Sequence, residues 1–124
     1  MRLLLDTHIF LWWADAPERL RPAHRDAIEN AASEVHLSVA SIWEMAIKIG
    51  TGRLDFPVSS IESLAARHGV TLLPVRAAHA VAVATLPLLH RDPFDRMLVA
   101  QASCEGLTLV TEDAAVRRYP VALL

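Results

Sequence analysis

The chain predicts a three-layer α/β/α domain around a mostly parallel sheet. Short apolar runs alternate with helix-length segments from one end to the other, those segments are long enough for right-handed crossovers, and Pro, Ser, Asp and Gly punctuate their ends. No internal repeat, low-complexity stretch or linker interrupts the 124 residues, which are therefore expected to form one domain, 1–124, with room for a substantial core.

Taken in order, Arg2–Leu5 reads as a buried strand leading into Asp6, and Thr7 to Ala14 as a helix carrying Trp12 and Trp13. Pro17 breaks that pattern. Pro22 suits the first turn of a second helix running to about Ala32, after which Val35–Ser38 is the next strand. Ser38 can cap a helix from Val39 to Ile49 that is apolar around much of its circumference, has Glu44 as its only acid and stops at Gly50. Ser59, with Glu62 three residues on, has capping-box spacing for a helix through about Arg67 that ends at Gly69. Val70–Leu73 is a further strand, and Ala77–Thr85 an Ala/Val-rich helix closed off before Pro87. Asp92 or Pro93 opens a helix through Glu105, with Gly106 placed to end it. A strand at Leu107–Val110, a short helical turn from about Asp113 and a last strand at Val121–Leu123 complete the order.

Composition narrows the function classes. A hydrophobic fraction of 53% and a mean hydropathy of +0.31 are high for so small a soluble domain, so apolar surface should remain for a partner and an oligomer is expected. No apolar stretch approaches the ~18 residues of a membrane span, because the richest region, Ala77–Leu89, is broken by His79, Thr85 and Pro87. The opening MRLLLDTHIFLWWA is divided by Asp6 and His8 and no small-residue cleavage site follows, so a cytoplasmic location is expected. The lone Cys104 excludes an internal disulfide and is expected as a small buried thiol within a helix. The net charge of −2 argues on its face against nucleic acid, unless several acids are clustered on metal ions. Every basic residue except Lys48 is Arg, the side chain suited to bidentate phosphate contacts.

The acids carry the chemistry. In HRDPFDRMLVAQA (His90–Ala102), Asp92 is a good N-cap, Pro93 fits the first helical position and Asp95 the third, so both carboxylates lie in an electropositive first turn. Three more acids stand at or near the ends of apolar runs: Asp6 after RLLL, Glu44 within SIWEMAIKIG, and Asp113 after LTLVTE. The carboxyl ends of parallel strands converge, and acids gathered there repel one another unless a cation sits among them. A hard divalent ion, Mg²⁺ or Mn²⁺, is the natural candidate, because it takes oxygen ligands and can activate water for attack on phosphorus. Each acid also has a plainer role open to it: Asp6, Asp92 and Asp113 could cap the turns they precede, and Glu44 could pair with Lys48 four residues on. Thr111 could be an ordinary strand-end residue, and Arg91 and Arg96 could either grip phosphate or line a solvated helix start. The six histidines show no metal-ligand spacing, and no Gly-rich phosphate loop is present.

LLLDTH at Leu3–His8, SxWExxxKxxxGRL from Ser41, RDPFDRxLxAQA from Arg91 and LVTxD from Leu109 together resemble the PIN-domain ribonucleases, specifically the VapC toxins of toxin–antitoxin pairs. The likeness covers nearly the whole chain. It implies a five-stranded parallel sheet, dependence on Mg²⁺ or Mn²⁺, endonucleolytic cleavage of RNA, homodimerisation and a cognate antitoxin. By position, the acidic quartet of the family falls on Asp6, Glu44, Asp95 and Asp113, with Asp92 as an extra acid that is either ligand or helix cap. Asp6, Asp95 and Asp113 would hold the metal, and Glu44 would reach it through water or orient the attacking water. Two other readings compete. A receiver-like phospho-acceptor domain would need a lysine at a late strand end, and Lys48, the only lysine, lies in a helix. A non-catalytic binding module would use the acids as caps and the apolar surplus as a docking face.

Overall fold

The computed structural model describes every residue, Met1–Leu124. Four strands, β1 (Arg2–Leu5), β2 (Glu34–Ser38), β3 (Val70–Leu73) and β4 (Thr108–Val110), pair in parallel in the order β3-β2-β1-β4. Between them run α1 (Thr7–Asp15), α2 (Pro22–Glu29), α3 (Val39–Gly50), α4 (Ile61–Arg67), α5 (Ala77–Val83) and α6 (Pro93–Glu105), with single 3₁₀ turns at Pro17–Arg19, Val58–Ser60 and Val116–Arg118.

The alternation of β1 sets the layers. Leu3 and Leu5 pack into a cluster with Ile9 and Phe10 of α1, Ile28 of α2, Met45 of α3 and Ala65 of α4. Leu4, between them, faces Leu98, Val99 and Ala102 of α6 on the opposite side, together with Leu109 and Tyr119. Because successive side chains of a strand point to opposite faces, one run of three fully buried leucines anchors helices on both sides of the sheet. At ~1.5–3 kcal/mol for each fully buried aliphatic side chain, this strand is a principal source of core stability.

Topology then places the crevice. The chain steps outward from β1 to β2 to β3 and returns across the other face to β4, on the far side of β1. The direction of connection therefore reverses between β1 and β4, and in open α/β sheets the ligand crevice lies at the carboxyl ends of such a pair. Leu5 is in register with both Leu37 and Val110, so Asp6, Ser38 and Thr111 come next on three adjacent strands. Since α6 runs back toward the start of β4, its first turn lies at that same edge.

Several expectations are corrected. The sheet has four strands rather than five: Val121–Leu123 makes only a single parallel bridge, Leu123 to Leu109, following the break at Pro120. The Ser59/Glu62 capping box does not form, because a 3₁₀ turn occupies Val58–Ser60 and the helix starts at Ile61, whose buried side chain anchors that first turn. The second helix stops at Glu29 rather than near Ala32, since the Asn30 side chain accepts a bond from the Ala32 backbone N–H at 2.8 Å and so closes a turn of its own. The Ala77 helix ends at Val83, where three-residue turns take over. Cys104 lies in α6 as expected but is exposed, because the buried face of that helix runs through Leu98, Val99 and Ala102. No helix is long and apolar enough to cross a membrane.

The α6 start forms as its sequence suggests. Asp92 Oδ1 accepts from the backbone N–H groups of Phe94 at 2.8 Å and Asp95 at 3.1 Å, and Gly106 closes the helix in the left-handed region at φ 64°. Asp92→Ala is therefore expected to cost ~1 kcal/mol of stability, and Asp92→Ser, which keeps a capping oxygen, only a few tenths. Equal losses in urea titrations of the two variants would show that the cap is not what Asp92 contributes.

Candidate active site

Asp6 is the innermost carboxylate. It follows directly from the central strand, is 3% exposed, and both its oxygens are engaged: Oδ1 accepts from Thr7 N at 2.7 Å, and Oδ2 accepts from the Thr111 hydroxyl at 2.6 Å. Thr111 also accepts from Asp113 N at 3.0 Å, so this one buried hydroxyl ties the end of β1 to the acid that follows β4. Asp113 uses Oδ1 to accept from the N–H groups of Ala115 and Val116, which fixes the 3₁₀ turn behind it.

Glu44 reaches the same place from α3. It is 8% exposed, accepts the Thr7 hydroxyl proton at Oε1 (2.7 Å), and takes Lys48 Nζ at Oε2 (2.9 Å). The i,i+4 ion pair weighed from the sequence does exist, yet it does not hold Glu44 at the surface, because the carboxylate turns inward while Lys48 remains partly exposed. Ser41, three residues earlier on the same helix, lies 2.9 Å from the Thr7 hydroxyl.

Asp95 enters from the first turn of α6, and its Oδ2 accepts from His90 Nε2 at 2.9 Å. Asp6, Glu44, Asp92, Asp95 and Asp113 thus line one cleft of about 210 Å³, together with Thr7, His8, Leu11 and Lys48. The ligand atoms of His90, Asp95 and Asp113 lie within 4.8 Å of one another. Five carboxylates face a single lysine there, and the energetic cost is visible in the acids. Burial, then the charges of Asp6 and Asp92, push the Asp95 carboxyl up to about 7, against the opposing hydrogen bond from His90. Burial likewise raises Asp6, although His8, Thr111 and Thr7 counteract it.

The two arginines offered for phosphate part company. Arg96 is committed to the protein itself: it donates to Pro87 O at 3.0 Å, to the Tyr119 hydroxyl at 2.9 Å and to Val83 O at 3.2 Å, so it braces the segment before α6 and does not line the cleft. Arg91 is exposed and makes no hydrogen bond or ion pair. Histidines that looked uninformative do approach the acids. His8 Nδ1 is 3.4 Å from Asp6 Oδ2, and its Nε2 accepts from Glu112 N at 3.4 Å, while His90 contacts Asp95 directly. The available signal was adjacency: His8 stands two residues after Asp6, and His90 two before Asp92.

The donor set suits a hard cation. It consists of carboxylate oxygens, no thiol, and the imidazoles of His8 and His90 at the margin, and the raised Asp95 records a local excess of negative charge that a divalent ion would relieve.

This excess has a pH signature. Asp95 in the folded chain holds its proton up to about 7, against an ordinary value of 3.8, so between those values the folded state binds more protons than the unfolded state. Stability of the metal-free protein should therefore fall as pH rises from about 4 to 7, and Asp6 acts in the same direction. Asp95→Asn should flatten that slope and melt at or above the wild-type temperature at pH 7. Melting curves in EDTA across this range test it, and a wild-type stability that climbs toward pH 7 would contradict it.

The comparisons with known proteins agree with this architecture. The family model for the PIN domain matches residues 3–122. The chain is 34% identical over 119 residues to Ribonuclease VapC22 of Mycobacterium tuberculosis, an alignment covering 94% of this chain and 91% of that protein. Among solved structures, VapBC2 from Rickettsia felis bound to a DNA fragment from its promoter superposes with a TM-score of 0.76 at 16% identity, covering 100% of this chain and 98% of that one. A toxin–antitoxin complex from Klebsiella pneumoniae gives 0.58 at 16% identity over 90% of this chain and 86% of the other. The two structures establish likeness of fold. The family model and the 34% identical relative carry membership: the chain belongs to the PIN-domain family and, within it, is of the VapC type.

Proposed function

We propose that this chain is a metal-dependent endoribonuclease and the toxin of a toxin–antitoxin pair. The observation that carries the reading is the convergence of Asp6, Glu44, Asp95 and Asp113, from four separate parts of the chain, on one cleft at the carboxyl edge of the sheet. The 34% identical relative is named a ribonuclease, which supports RNA as the substrate class. The toxin–antitoxin complex among the structural neighbours supports a protein partner of the antitoxin kind.

In this reading Asp6, Asp95 and Asp113 would hold Mg²⁺ or Mn²⁺, and Glu44 would reach it through water or orient the attacking water. When bound, the divalent ion lowers the pKa of a coordinated water and offsets the charge of a phosphodiester. The chain supplies the rest. Thr111 keeps the Asp6 carboxylate facing the cleft, and Thr7 together with Lys48 fixes Glu44 from both of its oxygens. Arg91, without a partner of its own, is available for phosphate, and Asp92 serves first as the helix cap. Digestion of total RNA with Mg²⁺ or Mn²⁺, read by end mapping, is expected to give discrete cleavage products that vanish in excess EDTA. Asp95→Asn and Asp113→Asn should lower the rate on the order of 100-fold or more, since loss of even an outer partner of a metal ligand costs about 10–100-fold. Undiminished cleavage in EDTA would sink the metal-dependent reading.

Homodimerisation belongs to the same proposal. The apolar surplus read from composition gathers in a groove between α3 and α6, lined by Val39, Ala40, Trp43, Val75, Phe94 and Met97, and Trp43 is 63% exposed there. Light scattering at micromolar concentration is expected to give twice the 13.7 kDa chain mass, and Trp43→Glu to shift it toward the monomer. A monomeric wild type would count against dimerisation and leave the chemistry of the cleft untouched.

A further inference from the structure

His90 lies in none of the regular elements, yet it is held at three levels. Its backbone N–H donates to the hydroxyl of Tyr119, a residue 3% exposed, at 3.0 Å. The same hydroxyl accepts from Arg96, whose guanidinium also binds the carbonyls of Pro87 and Val83, so the whole stretch between α5 and α6 is fastened to α6 and to the turn after β4. At the end of this brace His90 Nε2 stands 2.9 Å from Asp95 Oδ2, with the ring about three-quarters buried at 26% exposure. A side chain tied this firmly at its backbone, and aimed at one oxygen of one carboxylate, is arranged to orient that carboxylate.

We propose that His90 is a positioning residue for the cleft. Its Nε2–H donates to Asp95 Oδ2 and so fixes the rotamer of Asp95, leaving Oδ1 to face the ion. Tyr119 and Arg96 hold His90 in place to do so. This inference rests on the metal-dependent reading given above, and it assigns to Arg96 a supporting role behind the cleft in place of a grip on phosphate. Hydrogen-bond partners that orient a ligating side chain typically matter about 10–100-fold in metal affinity, although they never touch the ion.

The test uses the full chain and Mn²⁺ as the probe. His90→Ala is expected to weaken Mn²⁺ binding about 10–100-fold by calorimetric titration while melting near the wild-type temperature in EDTA, because the ring is not part of either apolar cluster. His90→Gln, whose amide N–H reaches toward the same oxygen, should bind at least about 5-fold more tightly than His90→Ala, the worth of one modest hydrogen bond. In the metal-free wild type, long-range ¹⁵N–¹H correlations should find Nε2 of His90 protonated, with a shift that moves in Asp95→Asn. Unchanged Mn²⁺ affinity in His90→Ala, an unprotonated Nε2, or a His90→Gln no better than His90→Ala would each overturn the positioning role. So would ¹⁴N hyperfine coupling to bound Mn²⁺, which would make His90 a ligand. If the wild type binds no Mn²⁺ at all, the metal-dependent reading itself fails and takes this role with it, whereas a tight wild type beside an unaffected His90→Ala removes this inference alone.

Discussion

The structure depends on a carboxylate placed where water hardly reaches. Asp6 follows a central strand whose three leucines are fully buried and pack helices on both of its faces, and its side chain must stay dehydrated at the end of that strand. An isolated buried carboxylate is costly, so the surrounding groups are largely those that reduce the cost: the Thr7 amide, the Thr111 hydroxyl and the His8 ring. Thr7 and Thr111 in turn reach Glu44 and Asp113. The polar network of the cleft thus grows outward from a single desolvated group, with Thr7, Thr111 and His8 each joining Asp6 to another acidic residue.

Capping and site-building prove compatible because a carboxylate has two oxygens. Asp92 and Asp113 each use Oδ1 to satisfy backbone N–H groups of the turn that follows, which fixes the rotamer without exhausting the side chain. Asp6 likewise accepts from the first amide of α1. The plain role and the chemical role therefore coincide: the cap orients the acid. The same two-oxygen logic explains why Asp6, Asp92 and Asp95 come from helix starts, whereas Glu44 reaches the cleft from the middle of α3. A helix crossing back over a parallel sheet begins at the carboxyl edge, so a residue of its first turn is delivered to the crevice by topology, and the positive end of the helix tempers the repulsion among its neighbours.

Behind the cleft, groups that look functional by residue type turn out to be fasteners. Arg96 and Tyr119 share a hydrogen bond and secure the segment leading to His90. Arg117 joins Thr111 O to Leu124 O, and His24, fully buried, donates its Nε2–H to Leu124 O at 2.9 Å, so the chain after β4 is pinned although it forms no full strand. Burial lowers the His24 pKa, which suits an imidazole enclosed without a carboxylate in hydrogen-bond contact.

Legible in the residues alone were the order of the helices and of four strands, the parallel sheet, the end of α6 at Gly106 and the acids that meet in one cleft. Those features rest on local chemistry: an apolar run, a proline at a first turn, a glycine able to adopt positive φ, or an acid directly after a strand. Tertiary structure alone decided what depended on competition between distant groups. Val121–Leu123 has the composition of a strand, but with a three-residue β4 as its neighbour it keeps a single bridge. Ser59 and Glu62 have the spacing of a capping box, yet the chain turns one residue later, at the buried Ile61. Arg96 is indistinguishable by type from a phosphate-binding arginine until the carbonyls of Val83 and Pro87 come within reach, and His90 is one histidine among six until the Tyr119 hydroxyl draws its backbone toward Asp95. Such partners are 9 to 29 residues away along the chain, where neither periodicity nor spacing carries information, and only the packed fold brings them to hydrogen-bond distance.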